Sequence, residues 1–257
     1  MSEEPDEKLA EGTIISHLLE LRSRLIRAGI AWVIALIPCA WKSNELFSFV
    51  AQPIIEKLPK GSHLIATGVM SPFMTPLKLS MYVALFAAMP YVLYQVWAFV
   101  APGLYRQEKR FAFPLLVSSI FLFYAGMAFA YLTVFPVVFA FFAKTTPPGV
   151  TMNPDISAYL DFVTKMFLGF GIAFEAPVAV VLLAITGLVS LEKLRANRGY
   201  VLIAIFVFAA MVTPPDSISM CIMAVPMYGL YEVGLFAAKI LVKMRREQAE
   251  QQAAKAQ

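Results

Sequence analysis

The chain has 257 residues, of which 60% are apolar and only 15% are charged. A soluble domain contains about 45–50% apolar and roughly 25% charged residues, so this composition excludes an ordinary soluble protein and predicts that lipid covers much of the surface. The formal net charge of +4 is too small and too dispersed to indicate a nucleic-acid partner.

Residues 1–27 are predicted to form a cytoplasmic N-terminal segment that ends in an amphipathic helix. The polar side of this helix is a row of residues at helical spacing: His17, Glu20, Arg24 and Arg27. Glu20 precedes Arg24 by one helical turn, the favourable order for an ion pair, so one interpretation is a solvated face and the other is a functional site. Arg22 lies among apolar neighbours and is expected to find a partner on another helix or a lipid phosphate.

Six intervals with few or no charges are predicted to be transmembrane helices, because about 20 apolar residues cross the ~30 Å of hydrocarbon. They lie near residues 25–47, 78–101, 112–135, 160–187, 199–214 and 217–238. Pro136 is expected to divide the third span from a helical extension beyond the membrane. The last two spans are short and should form a tight hairpin. The predicted fold class is an all-α polytopic membrane protein, with residues 1–257 in one integral membrane domain.

Lysine and arginine predict the orientation of the spans. They are concentrated in the N-terminal segment, in the second and fourth connections and in the tail at 239–257. Cytoplasmic segments carry the excess of positive charge, so both termini are predicted to be cytoplasmic. The proline-rich loops near 43–76 and 137–160 then face outward as rigid caps with short helices. An interfacial aromatic belt is predicted at the cytoplasmic end of the second span: Tyr91, Tyr94, Trp97, Phe99 and Tyr105.

Glu108 lies among cations in the connection between the second and third spans. Its neighbours are Arg106, Lys109 and Arg110. One interpretation is a positive anchor in which Glu108 screens the cations. The other pairs Glu108 with Glu20 as two acceptors for a basic ligand, because carboxylates bind guanidinium groups bidentately.

Glu175 is the strongest single-residue signal in the chain, because a charge at bilayer depth costs about 3 kcal/mol or more unless it is compensated. A functional site facing the bundle interior or a water-filled cavity is favoured over a purely structural hydrogen bond. Pro177 should kink the helix beside it.

The remaining polar and sulfur-containing residues have simpler expected roles. Asp216 is expected to cap the last span, and Glu232 to pair with Lys239 or another cation of the tail. Cys39 and Cys221 are expected to pack in the core. The two histidines have no partner at metal-ligand spacing, and no cofactor or metal is predicted.

Several strings of the sequence together resemble the TatC subunit of the twin-arginine protein translocase. They are HLLELRSRL at 17–25, SPFMTPLKL at 71–79, YQVWAFVAPGLYRQEKR at 94–110, FYAGMAFAY at 123–131, FEAPVAVVLL at 174–183, RGYVLIAIFVFAAMVTPPD at 198–216 and VPMY at 225–228. The resemblance covers nearly the whole chain, apart from the first twelve residues and the tail.

The resemblance implies a receptor and organiser for export of folded proteins across the bacterial inner membrane, driven by the proton-motive force, and not an enzyme. It assigns Glu20 and Glu108 as acceptors for the paired arginines of a signal peptide, with Arg22 and Phe99 at or beside that site. Glu175 matches the intramembrane carboxylate of the family.

The resemblance also implies a concave six-helix shape, a homo-oligomer in a larger complex, and single-span partner subunits of the TatA and TatB type. Those partners are expected near the turn at Thr213 and Asp216. The alternative function is a proton-coupled small-solute transporter centred on Glu175, against which the sequence shows no inverted repeat and no second intramembrane charge. A purely structural assembly scaffold is the third possibility.

Overall fold

The computed structural model describes residues 4–56, 63–100, 109–147, 150, 153–213 and 217–255. Within these residues the chain is helical, apart from turns and one isolated β-bridge. The helices are α1 Glu4–Trp41, α2 Ser43–Ile55, α3 Ser71–Val100, α4 Lys109–Phe129, a π-helical turn Ala130–Val134, α5 Phe135–Thr145, α6 Ile156–Ala173, α7 Ala176–Ile185, α8 Leu191–Ala196, α9 Arg198–Val212 and α10 Ser217–Lys255.

Five helical stretches of the described chain are long and apolar enough to cross a membrane, and α9 is a sixth, shorter apolar helix. The five are Ile15–Trp41, Ser71–Val100, Phe113–Thr145, Ile156–Ile185 and Ser217–Met244. The prediction of an all-α chain with six apolar helices is therefore confirmed. The 15 residues of α9 rise only about 22 Å, less than the hydrocarbon thickness. The last span was expected to be short as well, and this is wrong, because it has 28 residues.

Two prolines interrupt the helical hydrogen-bond pattern where the sequence predicts a break. Ahead of Pro136 the helix widens into the π turn, in which the Phe135 N–H donates to the Ala130 carbonyl five residues back. The fourth span is interrupted at Phe174 and Glu175, two residues before Pro177. Because Pro177 has no N–H, it cannot bond the carbonyl of residue 173, and α7 starts afresh beyond the gap.

Glycines allow the interior helices to approach closely. A Cβ added at Gly126 of α4 would lie 2.5 Å from the Phe170 carbonyl oxygen of α6, and one at Gly171 would meet the Phe123 ring. Small residues at helix contacts are typical of membrane bundles, where close van der Waals packing has to replace the hydrophobic effect. Aromatic rings fill the adjacent core, with Phe135 fully buried.

The two loops predicted to face outward are tied together by Asp155. Its Oδ1 accepts the N–H groups of Ser157 and Ala158 and so caps α6, while its Oδ2 accepts the Thr67 N–H at 2.9 Å and hydroxyl at 2.7 Å. These bonds favour the charged carboxylate and lower the pKa of Asp155 to about 2. A parallel bridge between Ile65 and Asp155 adds a backbone link. The expectation of a rigid cap agrees with this network.

At the opposite end of the bundle, an ion pair ties α10 to α9. Arg198 Nη2 donates to Glu232 Oε2 at 2.8 Å, and the Tyr228 hydroxyl donates to Glu232 Oε1 at 3.1 Å. The expected pairing of Glu232 with Lys239 or another tail cation is therefore wrong.

The expectation that Cys221 packs in the core is also wrong, because this residue is exposed on α10.

Candidate functional site

Glu20 lies on α1, near the end of the bundle that the charge pattern assigns to the cytoplasm, and it is already engaged with a guanidinium group. Arg24 Nε donates to Glu20 Oε1 at 3.0 Å, and Arg24 Nη2 donates to the same oxygen. The Glu20 side chain is 35% exposed and that of Arg24 is 20% exposed. The sequence-predicted ion pair is therefore present, on a carboxylate that a ligand can still reach.

Phe99 is brought to the same corner of the molecule by a residue that the sequence did not single out as functional. The imidazole of His17, one turn before Glu20, stacks on the Phe99 ring with a centroid distance of 4.3 Å and an interplanar angle of 23°. This contact ties the last turn of α3 to α1, along which α3 packs. The polar row of the N-terminal helix was the available signal, since His17 belongs to it.

Arg22 was expected to find a partner on another helix or a lipid phosphate, and the described part of the chain shows no such helix partner. It is exposed, and it makes no hydrogen bond or ion pair with any residue in the described part of the chain. Apolar side chains on the same helix, such as Leu19 and Ile26, are exposed too. Both alternatives stated from the sequence, a partner on another helix and a lipid phosphate, therefore stay predictions.

Two predicted site residues, Glu108 and Asp216, lie outside the described residues, so the pairing of Glu108 with Glu20 remains a prediction. Thr213 is described and ends α9. Its side chain is buried, and its hydroxyl donates to the Ala209 carbonyl at 2.9 Å. The hydroxyl proton is thus used within its own helix, so a hydrogen bond from a partner to the Thr213 side chain would have to be accepted by the hydroxyl oxygen.

Glu175 is the end of a hydrogen-bond chain that crosses the bundle. Trp97 Nε1 of α3 donates to Ser119 Oγ of α4 at 3.0 Å, and Ser119 Oγ donates to Glu175 Oε2 at 2.7 Å. Indole N–H is a donor only, which sets the direction of the chain and leaves the single hydroxyl proton for the carboxylate. The other carboxyl oxygen, Oε1, is buried and has no hydrogen-bond partner among the described residues. The expectation that Glu175 faces the interior is confirmed.

The sequence did not identify the partners of Glu175. Trp97 was placed in an interfacial belt, and this is wrong, because it is buried at 8% exposure. Ser119 was not singled out either. Gln95 is a further buried polar residue that the sequence analysis did not name; it is 4% exposed, and its Oε1 has no hydrogen-bond partner within the described chain. The available signal was weak: neutral polar residues inside apolar spans.

The described residues contain no group of three or more metal-ligating side chains, and Glu175 has no ion-pair partner among them. Chemically, the molecule presents two separate features. One is an accessible carboxylate that binds a guanidinium beside a stacked aromatic pair. The other is a buried carboxyl group with one unoccupied oxygen.

Comparison with known proteins gives a consistent result. Residues 16–226 match the model of the family described as Sec-independent protein translocase protein (TatC). The Sec-independent protein translocase protein TatC of Haemophilus influenzae is 48% identical over 226 residues, 88% of each chain. The protein of that name from Escherichia coli K12 is 48% identical over 237 residues, 92% of each chain. A crystal structure of a twin-arginine translocase receptor, TatC, superposes with a TM-score of 0.78 at 36% identity, covering 87% of this chain and 98% of that one.

Proposed function

The chain belongs to the TatC family of Sec-independent protein translocase proteins, and from this premise we propose that it receives twin-arginine signal peptides and organises the export of folded proteins. It is a multi-pass membrane protein and a translocase component, not an enzyme. The family assignment favours this function over the solute transporter centred on Glu175.

The observation that carries the proposal is the hydrogen bonding of the Glu20 carboxylate to a guanidinium group. This carboxylate accepts two N–H groups of a guanidinium in the structure itself, so its position and exposure suit the ligand chemistry of a signal-peptide arginine. Arginine offers a planar fork that matches a carboxylate, whereas lysine offers a single compact charge. A site built on carboxylates therefore distinguishes paired arginines from paired lysines.

The rest of the recognition site is proposed around Glu20. Glu108 supplies the second carboxylate, Phe99 packs on His17 at one edge, and Arg22 contacts lipid phosphate beside the bound peptide. The apolar part of the signal then inserts along the bundle. This arrangement requires both termini on the cytoplasmic side of a bacterial inner membrane, as the distribution of lysine and arginine predicts.

Single-span partner subunits are proposed to dock on α9 and the turn after it. The outer side of α9 carries a shallow apolar groove whose lining consists of Leu202, Ile203, Phe206, Val207, Ala210 and Met220. Because α9 is shorter than the hydrocarbon is thick, an apolar partner helix there would also relieve the mismatch with the bilayer. The proton-motive force is the proposed energy source, since a charge moved through 100 mV yields about 2.3 kcal/mol.

The proposal is tested by binding of a synthetic signal peptide to the purified full-length protein in detergent. The peptide carries either Arg-Arg or Lys-Lys, and the proteins are the wild type, Glu20→Gln and Glu108→Gln. We expect the Lys-Lys change and each substitution to weaken binding at least tenfold, about 1.4 kcal/mol. Glu192→Gln is the control, because it removes an exposed carboxylate from α8. Equal affinity in all combinations would contradict the proposed function.

A further inference from the structure

We propose that Arg24 is an internal ligand of the recognition site: its guanidinium occupies the Glu20 carboxylate when the site is empty and leaves when a signal-peptide arginine binds. The inference rests on the proposed function, because it describes how the same site is regulated. It assigns a role to Arg24 that neither the predicted site nor the family resemblance includes.

The geometry requires an exchange. Arg24 places both Nε and Nη2 on Glu20 Oε1. A bidentate guanidinium–carboxylate pair uses both oxygens, so an arriving arginine cannot form it while Oε1 is taken. Binding through Oε2 alone would place a second cation, arginine or lysine, beside Arg24 on one carboxylate, with mutual repulsion, so either ligand requires Arg24 to leave.

The burial of the two side chains keeps the exchange possible. Arg24 is the more buried partner at 20% exposure, and Glu20 is 35% exposed. The pair is therefore held against the protein but is not sealed. Within the described residues Arg24 has no other hydrogen-bond acceptor and no other ion-pair partner. Its guanidinium can therefore leave Glu20 for solvent or a lipid phosphate without breaking a second hydrogen bond or ion pair with the described residues.

The internal pair lowers the affinity for every cationic ligand by the same factor. A ligand that needs free Glu20 binds with its intrinsic affinity multiplied by the fraction of molecules in which Arg24 has left. Ion pairs of this kind at one-turn spacing are weak, so the expected factor is about two- to fivefold. Since the factor is common to arginine and lysine ligands, it lowers both affinities and leaves the ratio between them unchanged.

Arg27 provides a matched control on the same helix. It is exposed, and it has no hydrogen bond or ion pair with the part of the chain that the structure describes. Arg27→Met removes the same charge from the same surface without releasing Glu20. Any difference between Arg24→Met and Arg27→Met therefore reports the contact with Glu20 and not the general field of the helix.

The experiment measures binding of the Arg-Arg and Lys-Lys peptides to full-length wild type, Arg24→Met and Arg27→Met in detergent, each also in a Glu20→Gln background. We expect Arg24→Met to bind both peptides about two- to fivefold more tightly than Arg27→Met, with the Arg-Arg to Lys-Lys ratio of the wild type preserved. In the Glu20→Gln background the two arginine variants should bind alike, because Arg24 then has no carboxylate to occupy.

The outcomes separate the inference from the function on which it rests. If the wild type does not distinguish the two peptides, the proposed function fails and the inference with it. If the wild type distinguishes them but Arg24→Met binds no more tightly than Arg27→Met, the inference is overturned and the function stands. A selective loss of Arg-Arg binding in Arg24→Met would also overturn it, because Arg24 would then orient Glu20. Arg24→Lys is the control for folding, because it retains the charge. If Arg24→Met is unstable and Arg24→Lys is not, the binding result of Arg24→Met is attributed to a folding defect.

Discussion

Replacing Ser119 by alanine is expected to destabilise the bundle far more than its small size suggests. Ser119 is 1% exposed and is the middle of the chain that joins Trp97 to Glu175. Without its hydroxyl, the indole N–H of Trp97 loses its acceptor. The Glu175 carboxyl, whose Oε1 is already unpartnered in the described chain, then loses its one described hydrogen bond.

The magnitude follows from the number of polar groups left buried. Each unsatisfied buried donor or acceptor costs about 1–3 kcal/mol, and Ser119→Ala creates two of them. Alanine recovers about 0.5 kcal/mol through its higher helix propensity. The free energy of unfolding should therefore fall by about 2–5 kcal/mol. Trp97→Phe removes only the donor and keeps the bond between Ser119 and Glu175, so its hydrogen-bond loss should be smaller.

Ser118 is the control beside it. Its hydroxyl donates to the Pro114 carbonyl of its own helix at 2.9 Å and does not join another helix. Ser118→Ala should change the free energy of unfolding by about 0.5 kcal/mol or less. The assay is denaturant unfolding in detergent followed by tryptophan fluorescence, since Trp97 is one of three tryptophans. Equal stability of the two alanine variants would refute the argument that the interhelical chain stabilises the fold.

Two further predictions concern the close helix contact and the loop tie. Gly126→Ala should lower the free energy of unfolding by about 1–3 kcal/mol, because its Cβ would lie 2.5 Å from the Phe170 carbonyl oxygen; Gly29→Ala, with no atom within 4 Å of its Cβ, should be neutral or slightly stabilising. The same denaturant assay measures both variants, and an equal decrease in the free energy of unfolding for the two would contradict the steric explanation. Asp155→Asn should destabilise the protein at neutral pH, because the folded state lowers the pKa of Asp155 to about 2. The ionised Asp155 carboxylate makes its full contribution to stability above about pH 4, and this contribution is lost as the pH falls towards 2. The difference in unfolding temperature between Asp155→Asn and the wild type should therefore shrink over that range in thermal unfolding scans. A difference that stays constant with pH would contradict this prediction.

The amino-acid sequence alone determined the features that depend on neighbours along one helix or on the bilayer. Hydrocarbon demands long apolar helices whose backbone groups are satisfied internally, so gaps in the charge pattern were enough to predict six of them. The pair of Glu20 and Arg24 was predicted because residues one turn apart are neighbours on any helix. Pro136 and Pro177 marked irregular helix because a missing N–H has the same local effect wherever the helix lies.

Only the tertiary structure decided which side chains meet across helices. The stacking of His17 on Phe99, the burial of Trp97 and its connection to Glu175 through Ser119 all depend on how the helices are rotated and how closely they approach. The pattern of a span shows that a costly carboxylate is present, and it does not show which neighbour supplies the compensating hydrogen bond. That choice depends on interhelical packing, for which lipid provides no hydrophobic driving force and to which glycine contacts, aromatic shape and scarce polar groups contribute together.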